Sequence, residues 1–182
     1  MALAKTFIPY GAYWTTPFCR WQGSLAPFHS VKLAAQVATS VLAEKKIDPK
    51  RFDAVMLGLT VPQQSSFYGA PWLAGMIGAG DVTGPTLAQA CATSARVIAT
   101  AAAEVELGQR DCVLGVTCDR TSNGPHVYYP NPSGPGAKGD AEDWVWDAFN
   151  HDPFARNAMI ETAEKVAKEA GITKEEQDAV TL

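Results

Sequence analysis

The stretch GPTLAQACATSARVIATAAAEVELG, residues 84–108, decides how this chain is read. Pro85 to Ala90 is a short strand-like run. Cys91 opens a helix that continues to Leu107 and stops at Gly108, a residue that ends helices easily. The helix is apolar nearly all round: Ala92, Ala95, Val97, Ile98, Ala99, Ala101, Ala102 and Ala103 precede its first acidic residue, Glu104. A helix of that kind is expected inside a large core, where small side chains let neighbouring elements approach closely.

Working outward, the same alternation repeats. Ala54 to Leu59 is a continuous apolar run closed by glycine, as in a strand buried on both faces. Cys112 to Thr117 is another short apolar run, and Thr6 to Tyr10 predicts a first strand. Between them lie helical segments. Ser30 is expected to cap a helix to about Lys46, with Val31, Ala34, Ala35, Ala38, Val41 and Leu42 on one face. Asp48-Pro49 reads as an N-cap followed by proline at the first helical position. A small-residue helix is expected over Phe67 to Ile77, and Gly11 to Pro27 is read as loop. The order βαβαβαβ implies parallel strands joined by crossovers, an α/β fold.

After Asp119 the pattern breaks. Residues 119–152 are rich in Gly, Pro and Asn, with Tyr128, Tyr129, Trp144, Trp146 and Phe149 interspersed. Long stretches without periodicity inside a domain are more often functional or interface segments than idle linker. Ala155 to Ala170 returns to helix with Gly171 as its stop. Thr173 then caps a last short helix, with Glu176 at the capping-box position. An ending at Leu182, inside or just after that helix, looks cut.

Composition excludes several classes. Apolar residues make up 47% and charged residues 19%, which fits a packed domain and not a disordered chain. A net charge of −4 with no basic stripe argues against nucleic-acid binding. No run reaches the roughly 18–20 apolar residues of a membrane span, and the N-terminus lacks a signal peptide's apolar region. Cys19, Cys91, Cys112 and Cys118 form no CxxC pair, which points to reduced thiols and a cytoplasmic protein. His29, His126 and His151 have no metal-ligand spacing, so no metal is expected.

Cys91 is the candidate for chemistry. The first turn of a helix carries unpaired N–H groups and the positive end of the macrodipole. Both favour a thiolate, and the same N–H groups stabilise a developing oxyanion. A thiolate beside an oxyanion donor is the minimum for thioester chemistry. Position alone leaves two readings open, because unreactive buried cysteines are common. Cys112 and Cys118, in or beside a strand, read as core. Cys19 lies in a loop with nothing near it to activate it.

Longer segments decide between the readings. Thr16-Pro17-Phe18 with Gly23-Ser24-Leu25 resembles the N-terminal TPF…GxL segment of the thiolase family. Asp48-Pro49…Phe52-Asp53-Ala54-Val55-Met56-Leu57-Gly58 resembles its DPxxxDxVxxG segment. Gln89-Ala90-Cys91-Ala92-Thr93-Ser94 aligns with its nucleophile motif. Gly108-Gln109-Arg110-Asp111 leads into a strand as its G-x-x-D does. Thr121 to Pro125 falls at its SMSxxP segment. Met159 to Lys168 with Gly171 to Asp178 is similar to its MGxTAExxA…ISxxxQD stretch. Singly these are weak; in this order they are specific.

The resemblance implies a thiolase-like fold: one half of a five-layer α/β/α/β/α architecture over residues 1–118. The loop domain would begin at residue 119 and run to the end at 182, serving coenzyme A binding and tetramer formation. It implies an acyltransferase, with Claisen condensation or thiolysis of acyl-CoA through an acyl-cysteine at Cys91. Acyl-CoA and coenzyme A would be substrates, with no bound cofactor. Met159 matches a methionine that lines the family's acyl pocket. A homo-oligomer, dimer or tetramer, or a C-terminal half as partner, is expected.

Thr93 and Ser94 stand where the family usually has a serine-glycine pair, and the lost glycine is expected to alter how closely the helix packs. Ala158 replaces a histidine found in some members. The family's catalytic histidine, second cysteine and oxyanion-hole asparagine belong to its second half, so the chain alone is expected to be inactive or nearly so. The alternatives are a non-catalytic thiolase-fold subunit that binds acyl-CoA or a partner chain, and a related condensing enzyme. The TAE…QD stretch favours the thiolase branch over the latter.

Overall fold

The computed structural model describes residues 3–181; Leu182, at the expected end of the last helix, lies outside them. The chain forms two compact units that divide at Gly124-Pro125.

The first unit is built on a parallel sheet of order β2-β1-β3: β1 Ala54–Gly58, β2 Thr86–Leu87 and β3 Val113–Thr117. Leu57 pairs with Thr86 on one side and with Val116 on the other, so β1 is the centre strand. Every residue of β1 is buried, as its unbroken apolar run predicts. Helices α1 (Ser30–Glu44) and α2 (Ala70–Met76) supply the main core with Val55, Leu57 and Leu59 of the β1 segment and Leu114 and Val116 of β3. Val31, Ala35, Ala38 and Leu42 are the buried stripe of α1. Helix α3 (Thr93–Glu106) packs on β1 and β3 through their other residues: an added Cβ at Gly58 or Gly115 would come within 3.0 Å of a Val97 methyl.

Asp53 sets the register at the sheet's entry. Its carboxylate accepts the N–H groups of Asp111 (2.6 Å) and Cys112 (3.3 Å), and its own N–H donates to the Cys112 carbonyl. The Asp48 carboxylate accepts the Lys50 N–H at a short turn over Pro49–Arg51, as its capping role predicts. At residues 119–124 the chain stays with the first unit: Arg120 donates to the Phe28 carbonyl (2.9 Å), and the Gln22 N–H donates to Ser122 Oγ (2.7 Å).

Three local expectations are corrected. Thr6 to Tyr10 is not a strand. The Glu106 carboxylate at the end of α3 accepts the N–H groups of Ala4, Lys5 and Thr6, which ties the start of this segment to a helix end instead of a sheet, and Phe7, Ile8 and Tyr10 stay exposed. Ser30 does not cap α1 with its hydroxyl; His29 holds the cap position, and buried Ser30 pairs with the Gln63 side-chain amide. The helix expected over Phe67 to Ile77 is broken at Gly69, into a turn at Ser66–Tyr68 and α2.

The second unit holds an antiparallel hairpin, β4 His126–Tyr129 with β5 Asp140–Asp143, then α4 Trp146–Asn150, α5 Met159–Ala170 and α6 Lys174–Thr181. Tyr129 Oη donates to Glu142 across the hairpin (2.8 Å). The helix expected from Ala155 starts only at Met159, because the Asp152 carboxylate draws the Phe154 and Ala155 N–H groups into a turn and Arg156 takes φ +56°. Thr173 and Glu176 form the predicted capping box.

The Lys5, Ala4 and Thr6 N–H bonds hold the Glu106 carboxyl below its ordinary value of 4.5. A lowered carboxyl supports the folded state above its unfolded value and loses that contribution as pH falls through the folded one. The amide resonances of Ala4 and Lys5 should therefore titrate together, with a midpoint below 4.5. A midpoint at or above that value, or independent titration, would refute the clamp. Gly58→Ala should destabilise the fold by about 1–3 kcal/mol in urea unfolding, the usual range for overpacking; an unchanged midpoint would show that α3 is free to shift.

Candidate functional site

The candidate site lies where the chain leaves β2. Gln89 takes φ −147°, and Ala90 then takes φ +45°. A non-glycine residue in the left-handed region costs about 1–2 kcal/mol, because its Cβ crowds the following carbonyl. The turn Ala90–Ala92 runs directly into α3, and Cys91 is at its middle, exposed to solvent. Cys91 thus precedes the helix by a turn; the expectation that it opens α3 itself is shifted by that much.

Thr93, the first residue of α3, locks this turn. It is buried, and its Oγ1 accepts the Gln89 N–H (2.8 Å) and donates to the Ala90 carbonyl (2.7 Å). On its other side, Thr60 Oγ1 lies 3.0 Å from Thr93 Oγ1 and 3.3 Å from the Ala90 carbonyl oxygen. Thr60 in turn follows β1, and its N–H and that of Val61 donate to the Asp119 carboxylate at 2.9 and 2.7 Å. Asp119 follows β3. Burial raises its carboxyl above the ordinary value, opposed by the bonds from Val61 and Thr60. The Arg96 Nε donates to the Gln89 side-chain carbonyl (2.5 Å) over the outside of the turn.

The surroundings of α3 correct one expectation. Only Thr93 and Val97 of the helix are buried. Ala92, Ala95 and Ala99 are exposed, and Ile98 is 55% exposed, because the sheet covers a single face. Ser94, at the position of the family's glycine, is also exposed and does not crowd the sheet. The close packing depends instead on Gly58, whose added Cβ would meet the Thr93 and Thr117 methyls at 2.8 Å.

Met159 is the first residue of α5 and is 42% exposed. It belongs to the second unit, and Cys91 to the first. Ala158 caps α5, its N–H donating to Glu161 Oε2 (3.0 Å). Among the described residues no group of three His, Cys, Asp or Glu is placed to hold a metal ion, and no helix is long and apolar enough to cross a membrane. His29 bonds the Gln64 carbonyl and packs on Trp72, and His126 lies 3.8 Å from Asp143. Sequence reading missed Thr60 and Asp119. They are separated from the cysteine motif in the chain, and only the adjacency of β1, β2 and β3 ends brings them to it.

Residues 12–182 match the family model "Thiolase, N-terminal domain", and the chain belongs to the thiolase family. The acetyl-CoA acetyltransferase of Pseudomonas aeruginosa is 30% identical over 174 residues, covering 87% of this chain and 41% of that protein. That of Escherichia coli is 28% identical over 169 residues, covering 89% and 42%. Among solved structures, the Bacillus anthracis acetyl-CoA acetyltransferase superposes with a TM-score of 0.75 at 28% identity, over 88% of this chain and 41% of that one. The human mitochondrial 3-ketoacyl-CoA thiolase in complex with CoA gives 0.77 at 24% identity, over 91% and 42%, a likeness of fold. The chain spans about two fifths of the length of these relatives.

The cysteines separate chemically. Burial pushes the Cys118 thiol up to about 12. Burial, then the Asp53 charge, also raises Cys112. Iodoacetamide at pH 8 should therefore modify exposed Cys19 and Cys91 and leave Cys118 intact in the folded chain, since only about one Cys118 in 10⁴ is thiolate there. Peptide mapping that finds Cys118 modified as fast as Cys19 would refute this environment.

Proposed function

We propose that this chain is the nucleophile-bearing part of a thiolase-type acyl-CoA acyltransferase, with Cys91 as the acyl carrier. The observation that carries the reading is the exposed Cys91 thiol on a constrained turn leading into α3, in a chain of the thiolase family. In the proposed step Cys91 Sγ attacks the thioester carbonyl. The new S–C bond forms, the C–S bond to coenzyme A breaks, and the cysteine's proton ends on the released thiol. Oxyanion stabilisation would come in part from the backbone N–H of Cys91 itself.

Met159 would line the acyl pocket, and the unit from Pro125 onward would contribute to coenzyme A binding and to oligomer contacts. Relatives named acetyl-CoA acetyltransferase support an acyl-CoA substrate. The base for the cysteine's proton would be the family's catalytic histidine, which the resemblance assigns to the family's second half. The location proposed is the cytoplasm.

Incubation of the 182-residue chain with acetyl-CoA at pH 8 should place one acetyl group on Cys91, read by intact mass and peptide mapping. Cys91→Ala should carry none. Thiolysis of a 3-ketoacyl-CoA by the same chain should show no sustained turnover. Acetylation that persists in Cys91→Ala would remove Cys91 from the role, and multiple turnovers would overturn the dependence on residues elsewhere.

A further inference from the structure

We propose that Thr93 and Thr60 are positioning residues for Cys91: their paired hydroxyls hold the Ala90 turn in the conformation that presents the thiol. The role concerns the nucleophile assigned above and rests on that reading.

The φ of +45° at Ala90 is a conformation an alanine does not keep without compensation from its surroundings. Left unsupported, the residue would relax to negative φ and rotate the following peptide, which is that of Cys91. The compensation is visible. Thr93 Oγ1 joins both sides of the strained residue, accepting from the Gln89 N–H (2.8 Å) and donating to the Ala90 carbonyl (2.7 Å). Thr60 Oγ1 reaches the same carbonyl (3.3 Å) and Thr93 Oγ1 (3.0 Å).

Neither hydroxyl is free to drift. Thr93 is 5% exposed at the base of α3, with its methyl over Gly58. Thr60 is fixed through its backbone, whose N–H donates to Asp119 together with that of Val61. Asp119 thereby ties the end of β3 to the end of β1, and Thr60 carries that tie to the turn after β2. The three strand ends converge on one carbonyl, that of Ala90. A structural bond elsewhere would stabilise the fold equally for every thiol; these bonds lie on the turn that carries Cys91.

The cysteines supply an internal test in one molecule. The rates of carboxamidomethylation of Cys91 and Cys19 by iodoacetamide are measured by peptide mass spectrometry between pH 6 and 9, with protected Cys118 reporting any global opening. Thr93→Val removes the hydroxyl and keeps the shape. It should lower the Cys91:Cys19 rate ratio about fivefold, the effect of losing one ordinary hydrogen bond. Thr93→Ser should restore the ratio to within about twofold. A Thr93→Val chain that keeps Cys118 protected and the wild-type ratio overturns the proposal. If that variant exposes Cys118, the half-buried Thr60→Val decides by the same criterion: a fall supports the clamp and an unchanged ratio overturns it. The two readings fail separately. Wild-type Cys91 that is never acetylated by acetyl-CoA removes the acyl-carrier role, while the ratio still decides the clamp.

Discussion

The centre strand β1 is the constraint on which the first unit depends. It has a parallel neighbour on each side and a helical layer on each face, so all its residues are buried. Alternate side chains serve different layers. Val55 and Leu57 join the core under α1 and α2, while Gly58 leaves room for α3. Gly58 presents no side chain at the point where Thr93 and Val97 of α3 seat. The helix that follows Cys91 is therefore seated by an absence of side chain in the strand beneath it.

The same sheet explains where the chemistry collects. In open parallel sheets, ligand sites form beyond the carboxyl ends of the strands, because the connecting loops converge there. Thr60 follows β1, the cysteine turn follows β2 and Asp119 follows β3. Their hydrogen bonds run from one strand end to the next. Asp119 accepts the N–H groups of Thr60 and Val61 and so anchors the segment that carries the Thr60 hydroxyl. Strain at Ala90 and order in the three loops are thus two sides of one arrangement, in which packing of the sheet sustains a local conformation that the alanine would not choose.

Much of this was legible in the sequence because it is local. The apolar run of β1, the stop at Gly108, the Asp48 cap and the Thr173–Glu176 box each depend on residues a few positions apart. Non-local pairing was not legible. Thr6 to Tyr10 has strand composition, but Glu106, far along the chain, holds the backbone where the segment begins, at Ala4, Lys5 and Thr6. The β4–β5 hairpin was hidden because four-residue strands in a proline-rich stretch give little alternation. Cys91 itself was readable as a turn cysteine and through the resemblance. Thr60 and Asp119 were not, since only the strand order makes them neighbours of that turn.

The motif resemblance sets a serine-glycine pair beside Thr93-Ser94. A serine-glycine pair would supply one hydroxyl and one bare position; Thr93-Ser94 supplies the hydroxyl, adds a methyl and adds a second side chain. The methyl does not collide, because it occupies the space over Gly58. The Ser94 side chain does not collide either, because its position faces away from the sheet and is exposed. The expected change in how closely the helix packs, for want of a glycine at residue 94, is not seen against the sheet. What must be kept at Thr93 is the oxygen, which bridges Gln89 and Ala90. What must be kept at residue 58 is the lack of a Cβ. Threonine over glycine meets both requirements, and its methyl fills space over Gly58 that a serine would leave open.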